Sequence, residues 1–214
     1  TVKGNTQTGQ AMAIFYGMLT DEEKSKAFKL LLKYIDEADG HFNTGVLGGR
    51  VIYRVLAENG AVDLAYNMIV RPDYPSYGNW VKRGATTFWE SFQPENGRVL
   101  SLNHHFWGDV SAWFYTYLAG MRINPTGKDM ANVDIKPLFP KKLNSVNAYH
   151  DLRDGRISVS WERTDTQSIT LKIESAEKLH GKIIMPDGFI FSNGSKEKAL
   201  ASGLFNCKKE QICF

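Results

Sequence analysis

The spacing of apolar residues changes once along this chain, near residue 127, and this change limits the possible folds more than any other feature. Before it, apolar residues recur every three or four positions, as on one face of a helix, with Leu31 and Ile35 as an example. After it, apolar and polar residues alternate between turn signals such as Asp154-Gly155. We therefore predict an α + β multidomain chain, with a helical domain over residues 1–127 and an antiparallel β-sandwich over residues 128–214.

The helical domain is predicted to contain helices of two alternating kinds. Their approximate ranges are 7–19, 21–38, 45–58, 61–70 and 105–118. Thr6, Thr20 and Thr44 are predicted N-caps, and Thr20 with Glu23 forms a capping-box sequence. Some helices are apolar nearly all round, and others are amphipathic and rich in Lys and Glu. This alternation is typical of the inner and outer rings of an α/α toroid, where the N-terminal loops of the inner helices share one face and can form a pocket.

Composition and charge argue against several classes of partner. The formal net charge is +3 and the basic residues are scattered, which argues against a nucleic-acid interface. No apolar run approaches the roughly 18 residues that a membrane span needs. No signal-peptide pattern is visible, and the compartment stays undecided, with a periplasmic or extracellular location slightly favoured. Cys207 and Cys213 could form a small disulfide loop or stay as thiols.

The stretch 74–105 is the best candidate for chemistry, because it combines aromatic residues, chain breakers and titratable groups. Glu90 follows Trp89 directly, and His104 stands where a strongly amphipathic helix is predicted to begin. Glu90 could serve as a general base or could be a surface or capping residue. Trp89 is the best candidate for a pocket wall, and His41 could reach the same mouth from its own loop. The spacing of His and Glu matches no zinc motif, so no metal is predicted.

At these residues the chain resembles the bacterial α-L-rhamnosidases of glycoside hydrolase family 78. The motifs that carry the resemblance are YPSYG, GATTFWE and SLNHHFWGDVSAWFYTYLAG. The earlier TQTGQAMAIFYGML and GHFNTGVLGGRVIYRVLAENG resemble the preceding barrel helices of that family, and the β part resembles its C-terminal β-sandwich. The resemblance implies part of an (α/α)6 barrel and the hydrolysis of terminal α-L-rhamnosides with inversion and without a cofactor. The implied partner is a rhamnose-containing glycoside or polysaccharide.

The resemblance also implies roles for two residues. The family's general base falls on Glu90, and its sugar-contacting histidine falls on His104. Two departures concern the geometry of this segment: Phe92 stands where members often have Trp, and the link from Glu90 to His104 is short.

The family's general acid lies in an acidic, aromatic-rich segment upstream of every motif seen here. We therefore expect the chain to be the C-terminal portion of such an enzyme, with about half of the barrel ring. Inverting hydrolysis needs two carboxyl groups, so the isolated chain is expected to be inactive. Uncovered inner-helix faces are expected to drive self-association.

Two alternatives remain at the level of sequence. One is another α/α-barrel carbohydrate enzyme, because a scaffold and an aromatic pocket do not name the sugar. The other is a non-catalytic piece that binds sugar or serves only as structure.

Overall fold

The computed structural model describes residues 4–94, 96–123 and 127–210. The chain forms two compact units, Thr1–Ser111 and Ala112–Phe214. The secondary structure changes from helix to strand slightly earlier than expected, because the first strand already begins at Met121. The division into domains at 127 and 128 stays a prediction. No helix among the described residues is long and apolar enough to cross a membrane.

The first unit is built from helices. They are α1 (Gln7–Phe15), α2 (Asp21–Asp36), α3 (Val46–Glu58), α4 (Val62–Val70) and α5 (Tyr77–Lys82), and a short α6 (Asp109–Trp113) contains the boundary between the units. Two of the three predicted caps are confirmed. The Thr6 hydroxyl accepts from the Gly9 N–H, and Thr20 and Glu23 form a complete capping box. The third is wrong, because Gly45 is the N-cap of α3 and makes no side-chain cap bond.

The two kinds of helix predicted from the sequence are present as α3 and α2. Eight of the thirteen residues of α3 are buried, whereas α2 buries only Ala27, Leu31 and Ile35 among its sixteen. Two glycines explain how α3 is packed so closely. A Cβ at Gly48 would lie 2.5 Å from the Thr8 hydroxyl oxygen, and one at Gly49 would lie 2.4 Å from the Trp107 ring. The surroundings of α3 therefore leave no room for side chains at these positions.

Helix α5 and the last helical segment differ from the prediction. Helix α5 was not predicted, because the neighbouring prolines suggested only a break; Ser76 caps it by accepting from the Asn79 N–H. The predicted helix 105–118 is shorter, with α6 beginning at Asp109 and a π-helical segment over Phe114–Leu118.

The second unit consists of two sheets around one core. The strands are β1 (Met121–Ile123), β2 (Val133–Ile135), β3 (Ser145–Leu152), β4 (Gly155–Arg163), β5 (Ser168–Ser175), β6 (Lys182–Ile184), β7 (Phe189–Phe191), β8 (Glu197–Ala199) and β9 (Gly203–Lys209). Their order is β1-β2-β6-β8 in one sheet and β3-β4-β5-β9-β7 in the other. Side chains of both sheets, such as Ile135 and Trp161, share one apolar core. All pairs of these strands are antiparallel except β2 with β6, which is parallel.

The alternation predicts strands over 133–139, 145–149, 156–163, 168–174 and 181–185, and β2 to β6 lie there. Strands β1, β7, β8 and β9 were not predicted. Their length does not explain this, because β2 and β6 also contain three residues each and β9 contains seven. Cys207 lies in β9, where burial raises the pKa of its thiol to about 11. Cys213, with which it could form a disulfide, lies outside the described residues.

Candidate active site

Glu90 and His104 lie on two irregular segments that are hydrogen-bonded to each other. The Glu90 N–H donates to the Ser101 carbonyl at 3.0 Å, and the His104 N–H donates to the Phe88 carbonyl at 2.8 Å. The Thr87 hydroxyl adds a third bond, to the Leu102 carbonyl. We call the pair of segments 87–90 and 101–104 the site ladder. It brings the predicted base and the predicted sugar-contacting histidine onto one structural element.

The main chain of Glu90 is held on both sides, but its carboxylate is not. Its carbonyl accepts from the Trp107 indole N–H at 2.9 Å, and the Trp107 carbonyl accepts from the Tyr77 hydroxyl at 3.0 Å. Burial raises the pKa of Tyr77 well above its ordinary value, so this hydroxyl keeps its proton and stays a donor. Within the part of the chain that the structure describes, no hydrogen bond or ion pair engages the half-buried Glu90 carboxylate. This group is therefore available to a water molecule or a ligand.

An aromatic cluster lies around Phe92, two residues beyond Glu90. Phe92 stacks on Trp80 with 3.9 Å between ring centroids, and it meets Phe42, Tyr77 and Trp107 edge-on. Phe92 is the residue at which the sequence departs from the pattern it resembles, and here it forms the centre of the cluster. The cluster gives the polypeptide after Glu90 a rigid apolar support.

Trp89 lies at the edge of this cluster. It is 8% exposed, its ring centroid is 5.8 Å from that of Trp80, and the Arg83 guanidinium lies 5.0 Å above its ring. Only a narrow part of the ring can therefore meet a ligand. Its contact with a substrate stays a prediction.

His104 has one ring nitrogen engaged. Its Nδ1 accepts from the Phe106 N–H at 3.3 Å, so the proton of the neutral ring resides on Nε2. The ring lies almost parallel to that of His105, at 5.0 Å. This tautomer leaves Nε2 as a donor, which suits the binding of a hydroxyl group.

Both ring nitrogens of His41 lie within hydrogen-bonding distance of other groups of the protein. Its Nδ1 lies 3.1 Å from the Pro75 carbonyl and its Nε2 lies 3.2 Å from the Asp73 carboxylate. Arg71 binds both oxygens of Asp73 and holds the pKa of that carboxyl well below its ordinary value. A ligand at His41 would have to compete with these partners. The contact of His41 with a substrate stays a prediction.

The bridging contacts of Gln7 and the hydrogen bond from Trp107 to Glu90 could not be predicted from the sequence, although Trp107 itself is a candidate for stacking on a sugar. The buried Gln7 amide donates to the carbonyls of Tyr34 and His41 and accepts from the Asn43 N–H, so it joins the beginning of α1 to the loop before α3. The toroid prediction expects the loops 5–8, 41–44 and 103–105 to converge, and this bridge joins the first two. No local pattern marks such bridges, although a glutamine at the first position of a helix is a possible signal. Asp109 forms a bidentate ion pair with Arg54, which gives it a structural role.

A cleft with an empty volume of about 740 Å³ opens beside the site ladder. Its walls are mainly apolar, with two threonines and one asparagine, and Glu90 and His104 do not line it themselves. The lining residues are Tyr77, Trp80, Val81, Ala85, Thr86, Thr87, Phe88 and Asn103. Three of them belong to the ladder.

The solved structures that this fold resembles are glycosidases with a helical barrel. A crystal structure of Streptomyces avermitilis alpha-L-rhamnosidase complexed with L-rhamnose matches with a TM-score of 0.83 and 24% identity, over 97% of this chain and 22% of that one. The alpha-L-rhamnosidase from Dictyoglumus thermophilum matches with a TM-score of 0.82 and 24% identity, over 96% of this chain and 25% of that one. These likenesses establish the fold, and they confirm the prediction of a partial barrel followed by a β-sandwich.

The comparison of sequences identifies the family. Residues 1–118 match the bacterial alpha-L-rhamnosidase 6 hairpin glycosidase domain, and residues 123–188 match the bacterial alpha-L-rhamnosidase C-terminal domain. The chain therefore belongs to the bacterial alpha-L-rhamnosidase family. An alpha-L-rhamnosidase of Formosa agariphila is 34% identical over 73% of this chain, and one of an Alteromonas species is 33% identical over 76% of it. The chain spans 18% of the length of each of these relatives.

Proposed function

We propose that the whole protein hydrolyses terminal α-L-rhamnosides with inversion of configuration, and that Glu90 is its general base. The observation that carries the proposal is the site ladder, which holds Glu90 with an unengaged carboxylate on the same element as His104. Membership of the family supports the substrate class, because the relatives are alpha-L-rhamnosidases. The substrate is then a rhamnose-containing glycoside or polysaccharide.

The chemical step needs two carboxyl groups on opposite sides of the sugar. Glu90 takes a proton from a water molecule whose oxygen attacks the anomeric carbon, while the bond from that carbon to the leaving oxygen breaks. A general acid gives its proton to that leaving oxygen. In inverting enzymes the two groups stand about 6.5–9.5 Å apart, which leaves room for the water. We place the acid outside residues 1–214.

His104 binds the sugar in this proposal. Its Nε2–H donates to a ring hydroxyl, since its Nδ1 is occupied by the Phe106 N–H. Trp89 offers its exposed edge to the apolar face of the sugar, and His41 completes the polar side of the mouth.

The test is Glu90→Gln in the intact enzyme. Turnover of an aryl α-L-rhamnoside should fall about 10²–10⁴-fold, because the amide cannot accept the water proton. Glu22→Gln, on the exposed surface of α2, is the matched control and should leave turnover unchanged. Normal turnover in Glu90→Gln would exclude the assignment.

A second readout separates a base from a structural role. Azide needs no proton removal, so it should restore turnover to Glu90→Ala and yield the β-L-rhamnosyl azide. A variant that had merely lost its fold would not respond to azide.

We further propose that the isolated chain hydrolyses nothing and self-associates. Met12, Phe15, Tyr16 and Leu47 line one groove of the first unit, in which Leu47 is 60% exposed. Apolar residues placed together at a surface favour association. Light scattering should show oligomers whose size falls when Leu47 is changed to Gln. A monodisperse and active monomer would contradict both statements.

A further inference from the structure

The outward face of strands β3, β4 and β5 carries a groove that the sequence analysis did not identify. Along β4, Ile157, Val159 and Trp161 point into the core, so Ser158 and Ser160 point outward between them. Because these serines are short and the side chains on either side are long, the face is hollow there. The groove has an empty volume of about 510 Å³. We call it the outer groove.

The floor of the outer groove holds hydrogen-bonding groups that the protein does not use. Asn147 lies opposite Ser160 in the register of β3 and β4, and Tyr149 lies opposite Ser158. Among the described residues, no hydrogen bond is made by the side chains of Asn147, Ser158 or Ser160. Two hydroxyls and one amide can each donate and accept, which is the mixture that sugar hydroxyls require.

The charges of the outer groove cancel in pairs. Arg156 binds Asp151 at 2.6 and 2.9 Å, and Lys172 lies 2.6 Å from Glu174. Each cation holds the pKa of its partner carboxyl below the ordinary value, so both carboxylates stay ionised and paired at neutral pH. Both cations of the groove are thus paired, Lys172 with Glu174 in the lining and Arg156 with Asp151 beside it, so neither is left to attract an anionic ligand. Its chemistry suits a neutral ligand that is rich in hydroxyls.

One wall of the outer groove is an aromatic ring that is held in place. Tyr149 is 55% exposed, and the Arg156 guanidinium lies 4.4 Å from its ring centroid. Since Arg156 is itself bound to Asp151, the ring is supported by an ordered neighbour. An exposed and ordered ring next to unused hydroxyls offers an apolar surface and polar partners together.

We propose that the outer groove is a second carbohydrate-binding site, which takes a short neutral glycan. It would stack one sugar on Tyr149 and bind its hydroxyls through Asn147, Ser158 and Ser160. The site is independent of Glu90 and needs no hydrolysis. With this second site the protein would bind one polysaccharide at two places.

The test is electrophoresis of the 214-residue chain through native gels that contain a polysaccharide, with mobility measured relative to a polysaccharide-free gel. The probes are rhamnan and dextran, which are neutral, and polygalacturonate, which is acidic. The wild-type chain should be retarded by rhamnan and not by polygalacturonate. Tyr149→Ala and Asn147→Ala should each bind rhamnan about three- to tenfold more weakly. Retardation by dextran as well as rhamnan would extend the proposal to neutral glycans in general.

Two control variants show whether retardation arises at the outer groove. Asn206→Ala changes an exposed asparagine of the same sheet outside the groove, and it should leave retardation unchanged. His104→Ala removes the proposed sugar contact of the candidate active site, so retardation that persists in this variant arises outside that site. If Tyr149→Ala loses the circular dichroism signal of its β-sheet, the double variant Asn147→Ala/Ser160→Ala tests the groove instead. This double variant removes mainly polar atoms. The proposal is overturned if no neutral polymer retards the wild type, if His104→Ala abolishes retardation, or if the groove variants match the wild type.

Discussion

The site ladder of the helical unit and the pair β3–β4 of the β unit are both antiparallel segments, but their side chains are placed by different means. Strands β3 and β4 pair without interruption from Ser145 opposite Glu162 to Leu152 opposite Gly155. Strict alternation then decides which side chains face out. The site ladder has only two backbone bonds, and Glu90 is positioned by Trp107, which is seventeen residues away. The side chains of β3 and β4 are placed by the two-residue repeat of a strand, whereas those of the site ladder are placed by single tertiary contacts.

Four changes test this contrast, and the largest effect is expected at Gly49. A Cβ there would lie 2.4 Å from the Trp107 ring, so Gly49→Val should lower the free energy of unfolding by about 1–3 kcal/mol. It should also displace Trp107 and lower turnover of the intact enzyme. Gly45→Ala is the control, since nothing lies within 4 Å of its Cβ position. Urea unfolding of both variants checks this, and equal stability would refute the packing argument.

The second change compares two tryptophans that make the same kind of bond in different units. The Trp107 indole donates to the Glu90 carbonyl at 2.9 Å, and the Trp161 indole donates to the Leu118 carbonyl at 2.7 Å. Trp107→Phe and Trp161→Phe should each cost about 1–3 kcal/mol of stability, because a buried carbonyl loses its donor.

Only the first of these two variants should act on catalysis. We expect Trp107→Phe to lower kcat about tenfold with KM nearly unchanged, because it loosens the main chain of Glu90, the proposed base. Trp161→Phe should leave kcat unchanged in the intact enzyme. An equal fall of kcat in both variants would mean that stability alone is responsible.

The third change compares the beginnings of two helices. Thr20 completes a capping box at α2, so Thr20→Ala should cost about 1 kcal/mol. The Thr44 hydroxyl lies before α3, is buried and has no hydrogen-bond partner among the described residues. Thr44→Val removes only that polar atom and should be neutral or slightly stabilising. Thermal unfolding checks both, and a loss at Thr44 equal to that at Thr20 would show that the Thr44 hydroxyl has a partner in solution.

The smallest effect is expected at His180 in the β unit. Its Nε2 lies 2.8 Å from the Asp129 carboxylate, which raises the pKa of His180 above its ordinary value of 6.5. A raised pKa adds stability that is fully present below pH 6.5 and is lost as the pH rises through the folded-state pKa. The pair is exposed, so the gain is small. Titration by NMR should give a pKa above 6.5, and Asp129→Asn should abolish the rise.

Much of the fold could be predicted because it follows from the regular spacing of apolar residues in helices and strands. The capping box at Thr20, the buried character of α3 and the five strands β2 to β6 were all visible in local spacing. Helix α5 could not be predicted, because the sequence around Pro72 and Pro75 favours a break and only Ser76 signals a cap. The π-helical turn over Phe114–Leu118 has the same apolar pattern as an α-helix, so it could not be distinguished.

The class of each half, the family and the candidate residues Glu90 and His104 can be inferred from the sequence, because periodicity and motifs are local properties of the chain. How these residues are held depends on the tertiary structure. The bond from Trp107 to Glu90, the tautomer of His104 and the bridge made by Gln7 depend on groups that are distant in sequence or on the local path of the backbone. The outer groove likewise appears only when three strands lie side by side. Such contacts follow from packing in three dimensions, and no local pattern encodes them.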